Sequence, residues 1–162
     1  MTSTKPEFDD IFMELAVRVA QRSHCVRRQV GAVLVKDTRI ISIGFNGPPP
    51  NTHNCDEEWP ETGCARDNKG SCYLAIHAEQ NAIMYAVKNN ASVDGSTLFV
   101  TLSPCLPCAR IIYSMGIKKV IYLNSYAEYK GLTTEEGAEF LEKFGVTVTR
   151  YPKDLPVQSH LI

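Results

Sequence analysis

One histidine and two cysteines constrain the fold of this chain more than any other residues. Glu79 follows His77 by two residues, and Cys105 and Cys108 lie three residues apart directly after Pro104. An imidazole and two thiolates are suitable zinc ligands, and a catalytic zinc site has three protein ligands with its fourth position left to water. The chain must therefore fold so that two segments distant in sequence meet at one point.

The spacing within each segment predicts its local structure. Residues three apart share one helix face, so Cys105 and Cys108 can direct both sulfur atoms at one metal, and the proline before them is favoured at the first position of a helix. His77 and Glu79 are two apart, a spacing that faces opposite ways within a helix. We therefore expect them to flank a helix start, with Glu79 as a proton acceptor beside a zinc-bound water.

A His-x-Glu pair followed by Pro-Cys-x-x-Cys is the signature of zinc-dependent deaminases. A Cys-x-x-Cys pair alone also occurs in redox motifs and in structural zinc sites. The alternative is a closed zinc knot, in which another cysteine fills the fourth position. A closed knot would have no use for the carboxylate of Glu79, so the pattern favours a catalytic site.

Length and charge limit the classes of protein. A chain of 162 residues suits one domain, 1–162, and is too short for two ordinary ones. The net charge of −1 and the pI of 6.4 argue against a nucleic-acid partner. We find no signal peptide and no apolar run near the ~20 residues of a membrane span, so we expect a cytoplasmic protein with no membrane partner.

Hydrophobic periodicity predicts alternating helices and strands. The predicted helices are 7–23, 77–88, 105–115 and 133–144, and the predicted strands are 30–35, 40–43, 97–102, 119–123 and 146–149. This order predicts an α/β fold, a three-layer α/β/α domain with a central five-stranded mixed sheet. Both halves of the zinc motif then lie at helix N-termini near one end of the sheet, where ligands bind in open α/β sheets. The tail 152–162 has little pattern and stays unassigned.

The segment 44–73 is an irregular insert rich in proline and glycine. Such a long structureless segment in a compact domain is uncommon and is usually functional or cross-linked. Cys55, Cys64 and Cys72 lie within it, and Cys25 follows the first predicted helix. These four cysteines are free thiols, disulfides or ligands of a second metal, and the absence of an export signal argues against disulfides.

Four stretches of the chain resemble the cytidine-deaminase superfamily and, within it, the deoxycytidylate (dCMP) deaminases. They are 23–33, 44–47, 77–83 and 101–105. The zinc motif is shared across the superfamily, whereas the first two stretches are similar to the dCMP branch, which usually has tyrosine in place of Phe45. The resemblance implies a cytidine-deaminase-like fold and hydrolytic deamination of dCMP to dUMP and ammonia, on the route to dTMP.

The resemblance also implies roles for the motif residues and for a second metal. His77, Cys105 and Cys108 would bind the catalytic Zn²⁺, and Glu79 would shuttle protons. Some dCMP deaminases that resemble this chain hold a second, structural zinc that pins the insert. We expect such an ion here, and its proposed ligands are Cys25, Cys55, Cys64 and Cys72, with His53 as a substitute for one of them.

Five further residues are candidates for binding dCMP. The resemblance implies that Asn46 binds the deoxyribose, unless it is simply a turn residue, and that Tyr126 lies near the 5′-phosphate. The main-chain N–H of Ala78 is a candidate donor to the base carbonyl. Arg27 is the candidate for the 5′-phosphate because a guanidinium offers a fixed fork to phosphate oxygens, with Arg28 next.

The family resemblance further implies a homo-oligomer, commonly a hexamer, that is activated by dCTP with Mg²⁺ and inhibited by dTTP. Three rival functions share part of the pattern. A tRNA adenosine deaminase has the same zinc motif, but an RNA substrate favours a basic surface. A deaminase of free bases or nucleosides would not need Arg27, and a non-catalytic zinc-binding regulator would not need Glu79.

Overall fold

The computed structural model describes residues 5–155, and within them helices and strands alternate along the chain. The six helices are α1 (Phe8–Ala20), α2 (Cys55–Glu58), α3 (Ala78–Lys88), α4 (Leu106–Ser114), α5 (Tyr126–Lys130) and α6 (Glu136–Lys143). The five strands are β1 (Gly31–Lys36), β2 (Arg39–Phe45), β3 (Thr97–Leu102), β4 (Lys119–Asn124) and β5 (Thr147–Arg150).

The strands form one mixed sheet in the order β2-β1-β3-β4-β5. β1 pairs antiparallel with both β2 and β3, whereas β3, β4 and β5 are parallel to one another. Asp37 and Thr38 join β1 to β2, and both have positive φ, as a two-residue hairpin turn requires. The predicted five-stranded mixed sheet is therefore confirmed.

Helices cover both faces of the sheet and make three layers. The central strands are apolar on both faces, so successive side chains of β1 enter different cores. Val33 packs with Phe12 and Phe99 beneath α1. Leu34 packs with Ile112 and Leu141 in the core shared by α3, α4 and α6. This arrangement confirms the predicted α/β/α architecture.

The sheet brings the two halves of the zinc motif together. Because β3 and β4 are parallel, their carboxyl ends meet at one edge, where β3 leads into α4 and β4 leads into α5. β2 approaches α3 closely at Gly44, where an added Cβ would lie 2.4 Å from the Ala78 carbonyl oxygen and from the Ala82 nitrogen. Glycine at this position therefore sets the start of α3 directly against the sheet.

Several predicted boundaries differ from the structure. Pro104 precedes α4 instead of opening it; Cys105 is the N-cap residue, and Pro107 lies in the first turn. The predicted helix 133–144 begins only at Glu136. The short helices α2 and α5 were not predicted, because neither is long enough to show an apolar periodicity. Among the described residues, no helix combines the length and apolar character needed to cross a membrane.

Candidate metal centre and active site

His77, Cys105 and Cys108 meet at the carboxyl edge of the sheet. The Nδ1 atom of His77 lies 3.5 Å from the Sγ atom of Cys105 and 3.3 Å from that of Cys108. Within residues 5–155, this is the one group of three His, Cys, Asp or Glu side chains whose possible ligand atoms all lie within 4.8 Å of one another. Cys108 is buried, Cys105 is half-buried and His77 is exposed, so the group opens to one side.

The distances between these atoms fit zinc. Zinc binds thiolate at about 2.3 Å and imidazole at about 2.0 Å in a tetrahedral arrangement, which separates sulfur from nitrogen by about 3.5 Å. The observed separations of 3.5 and 3.3 Å match that value. The three residues would supply three of the four positions of such a site, and the open side would leave the fourth for water or substrate.

Both ligand segments lie at helix N-termini because of local backbone geometry. His77 is the N-cap of α3, with extended φ and ψ of −71° and 155°, and its N–H donates to Gln80 Oε1 at 2.9 Å. Cys105 is the N-cap of α4, and Cys108 lies in the first turn on the same side. His77 and Glu79 therefore flank a helix start, as the spacing predicted.

The thiols of the two cysteines are electrostatically coupled. Hydrogen bonding with Cys108 lowers the pKa of Cys105, and the contact with His77 lowers it further. The same contact with Cys105, together with burial, raises the pKa of Cys108. The metal-free protein therefore favours a thiolate on Cys105, the form in which cysteine binds zinc.

Glu79 is buried beside the three ligands. Only 5% of its surface is exposed, and burial raises the pKa of its carboxyl to about 7, against an opposing effect of His77. A carboxyl that gains and loses a proton near neutral pH suits general acid–base catalysis. The position of Glu79 in the first turn of α3 keeps it next to the site without making it part of the cluster of three ligand atoms.

A cavity of about 270 Å³ opens onto the candidate metal centre. Its lining includes residues that were candidates from the sequence, namely Arg27, Arg28, Asn46, His77, Ala78, Glu79, Cys105 and Tyr126. It also includes residues that the sequence analysis did not single out, among them Ser103, Tyr129 and Lys130. Tyr126 and Tyr129 are three apart, a helical spacing, but the segment is too short for that signal to be recognised.

Three cations border this cavity. The guanidinium of Arg28 lies 4.3 Å from the centroid of the Tyr129 ring, and Lys130 Nζ lies 5.3 Å from the same ring. Arg27 Nη1 donates to the carbonyl oxygen of Gly70 in the insert at 3.4 Å. Burial lowers the pKa of Arg28, which nevertheless stays charged. The cavity therefore combines a metal site at one end with positive charge along its wall.

The side chain of Asn46 is buried and bonded to the main chain on both sides. Its Oδ1 accepts from the Val30 N–H at 2.8 Å, and its Nδ2 donates to the Arg28 carbonyl at 2.8 Å. Ala78, the first residue of α3, is buried at the base of the cavity. Asn46 thus fixes the Arg28 to Val30 turn while it also lines the cavity.

The four remaining cysteines are free thiols that lie near one another. Cys55 and Cys64 are buried, and Cys25 and Cys72 are half-buried. Burial raises the pKa of Cys55, and the three other thiols are close enough to raise it further. Cys25 and Cys72 also line the cavity. Among residues 5–155, no three of these four sulfur atoms lie within 4.8 Å of one another, as the ligand atoms of His77, Cys105 and Cys108 do.

His53 contacts a carboxylate in the structure. Its imidazole is exposed, and its Nδ1 lies 2.9 Å from Glu58 Oε2. The second imidazole near α2, that of His24, lies 3.1 Å from Asp56 Oδ2. Both imidazoles therefore have acidic partners at the surface.

Comparison with known proteins identifies the family. Residues 6–124 match the cytidine and deoxycytidylate deaminase zinc-binding region. The chain is 36% identical over 153 residues to the deoxycytidylate deaminase of Saccharomyces cerevisiae. That match covers 91% of this chain and 46% of the yeast protein, so the chain spans about half the length of this relative.

Two phage proteins match over more of their own length. The deoxycytidylate deaminase of Enterobacteria phage T2 is 35% identical over 174 residues, covering 87% of this chain and 90% of the phage protein. The dCMP deaminase of cyanophage S-TIM5, solved in complex with dCMP and dUMP, is 36% identical with a TM-score of 0.76. That superposition covers 92% of this chain and 100% of the cyanophage chain.

Proposed function

The chain belongs to the cytidine and deoxycytidylate deaminase family that carries this zinc-binding region, and we propose that it hydrolyses dCMP to dUMP and ammonia as a single catalytic domain. The observation that carries the proposal is the meeting of His77, Cys105 and Cys108 beside buried Glu79, at the base of a cavity bordered by cations. The deaminases of yeast and phage T2, and the cyanophage enzyme with dCMP and dUMP, support dCMP as the substrate.

His77, Cys105 and Cys108 hold the catalytic zinc in this proposal. When bound, zinc supplies the nucleophile by lowering the pKa of a water molecule to about 7. Glu79 takes one proton from that water and passes it to the ring nitrogen N3 of the cytosine. It then takes the second proton from the hydroxyl added at C4 and gives it to the departing amine, so that ammonia leaves and the C4 carbonyl forms. Its buried carboxyl, with a pKa raised to about 7, suits both the acceptance and the return of a proton.

The cavity wall orients the nucleotide. The main-chain N–H of Ala78 donates to the base carbonyl, Asn46 contacts the deoxyribose, and Tyr126 lies near the phosphate. Arg27 binds the 5′-phosphate, with Arg28 as the alternative, because both guanidinium groups lie along the same cavity. This assignment follows the family resemblance, and the common location of these residues supports it.

A second, structural zinc is proposed for Cys25, Cys55, Cys64 and Cys72. The mutual proximity of the four thiols supports it. The thiols of Cys25, Cys64 and Cys72 are all close enough to raise the pKa of Cys55. Closing the site requires their sulfur atoms to draw together from their metal-free positions, which metal binding can drive. His53 is the reserve ligand, although its Nδ1 already contacts Glu58.

The proposal extends to assembly and regulation. We propose a cytoplasmic homo-oligomer, with a hexamer favoured, that dCTP with Mg²⁺ activates and dTTP inhibits. Exposed apolar side chains on α3 and α4 support an assembly: Tyr85, Val87 and Tyr113 are 49%, 52% and 46% exposed. Light scattering with and without dCTP tests the oligomer, and dCTP and dTTP titrations of the activity test the effectors.

The defining experiment compares substrates side by side. Ammonia release is measured from dCMP, CMP, deoxycytidine and an RNA loop that contains adenosine. We expect dCMP to be the preferred substrate, with deoxycytidine weakened by the loss of the phosphate. Preference for the RNA loop would identify a tRNA adenosine deaminase instead, and no release from any of the four would favour a non-catalytic zinc protein.

A further inference from the structure

Glu135, which lines no part of the catalytic cavity, joins the two segments that form one side of it. One carboxylate oxygen, Oε2, accepts from Ser103 Oγ at 2.8 Å. The other, Oε1, accepts from Ser125 Oγ and from the Ala127 N–H, the latter at 3.2 Å. Ser103 and Ser125 are buried, so these contacts are shielded from competing water.

The two serine hydroxyls extend the network to the start of α5. The Tyr126 N–H donates to Ser103 Oγ at 2.7 Å, and the Glu128 N–H donates to Ser125 Oγ at 3.0 Å. Together with Ala127, all three main-chain N–H groups at the start of α5 are therefore bonded to Glu135 or to a serine that it holds. A carboxylate is also favoured at this positive end of a helix.

The same residues border the metal centre. Ser103 lies two residues before the zinc ligand Cys105, and α5 carries the cavity residues Tyr126, Tyr129 and Lys130. The start of α6 presses on this loop as well, because an added Cβ at Gly137 would lie 2.0 Å from the Pro104 carbonyl oxygen. Glu135 therefore sits where the ligand loop, α5 and α6 meet.

We infer that Glu135 is a positioning residue for the proposed deamination, on which this inference rests. It holds the loop that carries Cys105 in register with the α5 wall, so that the metal and the nucleotide keep a fixed separation. Its role is indirect, since it acts through Ser103 and Ser125 and touches neither substrate nor metal.

The network requires a carboxylate at this position. Three donors, namely two hydroxyls and one N–H, point at the two oxygens of Glu135. Glutamine would offer a single oxygen and an NH₂ group. With the oxygen on the side of Ser125 and Ala127, the NH₂ group faces Ser103 Oγ, so the Ser103 hydroxyl loses the carboxylate oxygen that it donates to. Loss of this bond loosens the connection between the loop and α5, and a displacement of about 1 Å can cost about 10²-fold in rate.

The experiment compares Glu135→Gln with Glu136→Gln, the same change at the exposed neighbouring position. Both proteins are assayed with dCMP well below their unfolding temperatures, and the visible absorption of their Co²⁺-substituted forms is recorded. We expect kcat/KM of Glu135→Gln to fall about tenfold to a hundredfold below that of the control, with a shifted Co²⁺ spectrum at equal folded fraction. A kcat/KM within twofold of the control and an unchanged spectrum would overturn the inference.

Two further measurements keep the test decisive. If Glu135→Gln does not fold, Ser125→Ala replaces it, because Ser125 binds Glu135 and lies outside the cavity lining. We expect a loss of kcat/KM of at least fivefold, and a smaller loss would refute the positioning role. If wild-type protein releases no ammonia from dCMP, the proposed function fails separately. Glu135 is then judged by zinc loss to EDTA, which is faster in Glu135→Gln than in Glu136→Gln if the inference holds and equal if it does not.

Discussion

The side-chain amide of Asn46 holds the main chain of Arg28, with Nδ2 donating to the Arg28 carbonyl at 2.8 Å. The oxygen of the same amide accepts from the Val30 N–H at 2.8 Å. Two stretches that resemble the dCMP deaminases, 23–33 and 44–47, are thus bonded directly to each other. The turn that carries Arg27 and Arg28 owes its position beside the cavity to this asparagine.

Asn46→Ala should therefore destabilise the fold. It leaves a buried N–H and a carbonyl unpaired, and each such loss costs about 1–3 kcal/mol, so we expect about 2–6 kcal/mol in total. Urea unfolding measures the change. Asn89→Ala is the control, because that exposed amide donates to one carbonyl of its own helix, and equal losses from the two variants would contradict the structural role of Asn46.

Glu79→Gln should remove proton transfer and leave the metal centre in place. General acid–base groups contribute about 10²–10⁴-fold, and a group that moves several protons can exceed that range. The fall in kcat with dCMP is measured on protein whose zinc content and thermal unfolding match those of wild type. Near-normal turnover by this variant would show that the carboxyl at Glu79 is not the proton shuttle.

Arg27→Ala should impair dCMP much more than deoxycytidine, because only dCMP carries the 5′-phosphate. A charge-assisted contact is worth about 1.5–3 kcal/mol, or roughly tenfold to a hundredfold in apparent affinity. The ratio of kcat/KM for the two substrates is the measurement, and Arg110→Ala, an exposed arginine on α4, is the control. Equal losses with both substrates would assign the phosphate to another residue, and Arg28 would be tested next.

The second metal should appear as two zinc ions per chain. A closed four-ligand site stabilises structure without touching substrate. Cys64→Ser should reduce the count to one and lower thermal stability, whereas His77→Ala should remove the other zinc together with activity. One zinc per fully active wild-type chain, prepared without chelators, would leave the four cysteines as ordinary thiols.

Asp10 should make stability depend on pH at the acid end. Contacts with Lys153 and Tyr151 lower its pKa below the ordinary value of 3.8. Because the folded pKa is depressed, the contribution is complete above pH about 4 and is lost as pH falls through the folded pKa. Asp10→Asn should therefore flatten the acid side of the unfolding profile, and Asp9→Asn should leave it unchanged.

The parts of the site that follow from chemistry and short spacing could be predicted from the sequence. His77, Cys105 and Cys108 offer zinc donors whatever the fold, and a two-residue spacing to Glu79 is compatible with one pocket only at a helix start. The mixed sheet followed equally from the order of apolar segments. The sheet depends on the order of neighbouring segments in the chain. The zinc site depends on short spacings and on the number of donors that a metal requires.

Other features were decided by contacts between distant segments. The stacking of Arg28 on Tyr129 and the placement of Glu135 between Ser103 and Ser125 join residues that no periodicity relates. Helix α5 is five residues long and takes its shape from those contacts, because so short a helix gains too few hydrogen bonds to offset its nucleation. The sequence by itself determined which residues can bind the metal, and only the tertiary structure decided which side chains surround it, since burial and packing select among polar groups that look alike along the chain.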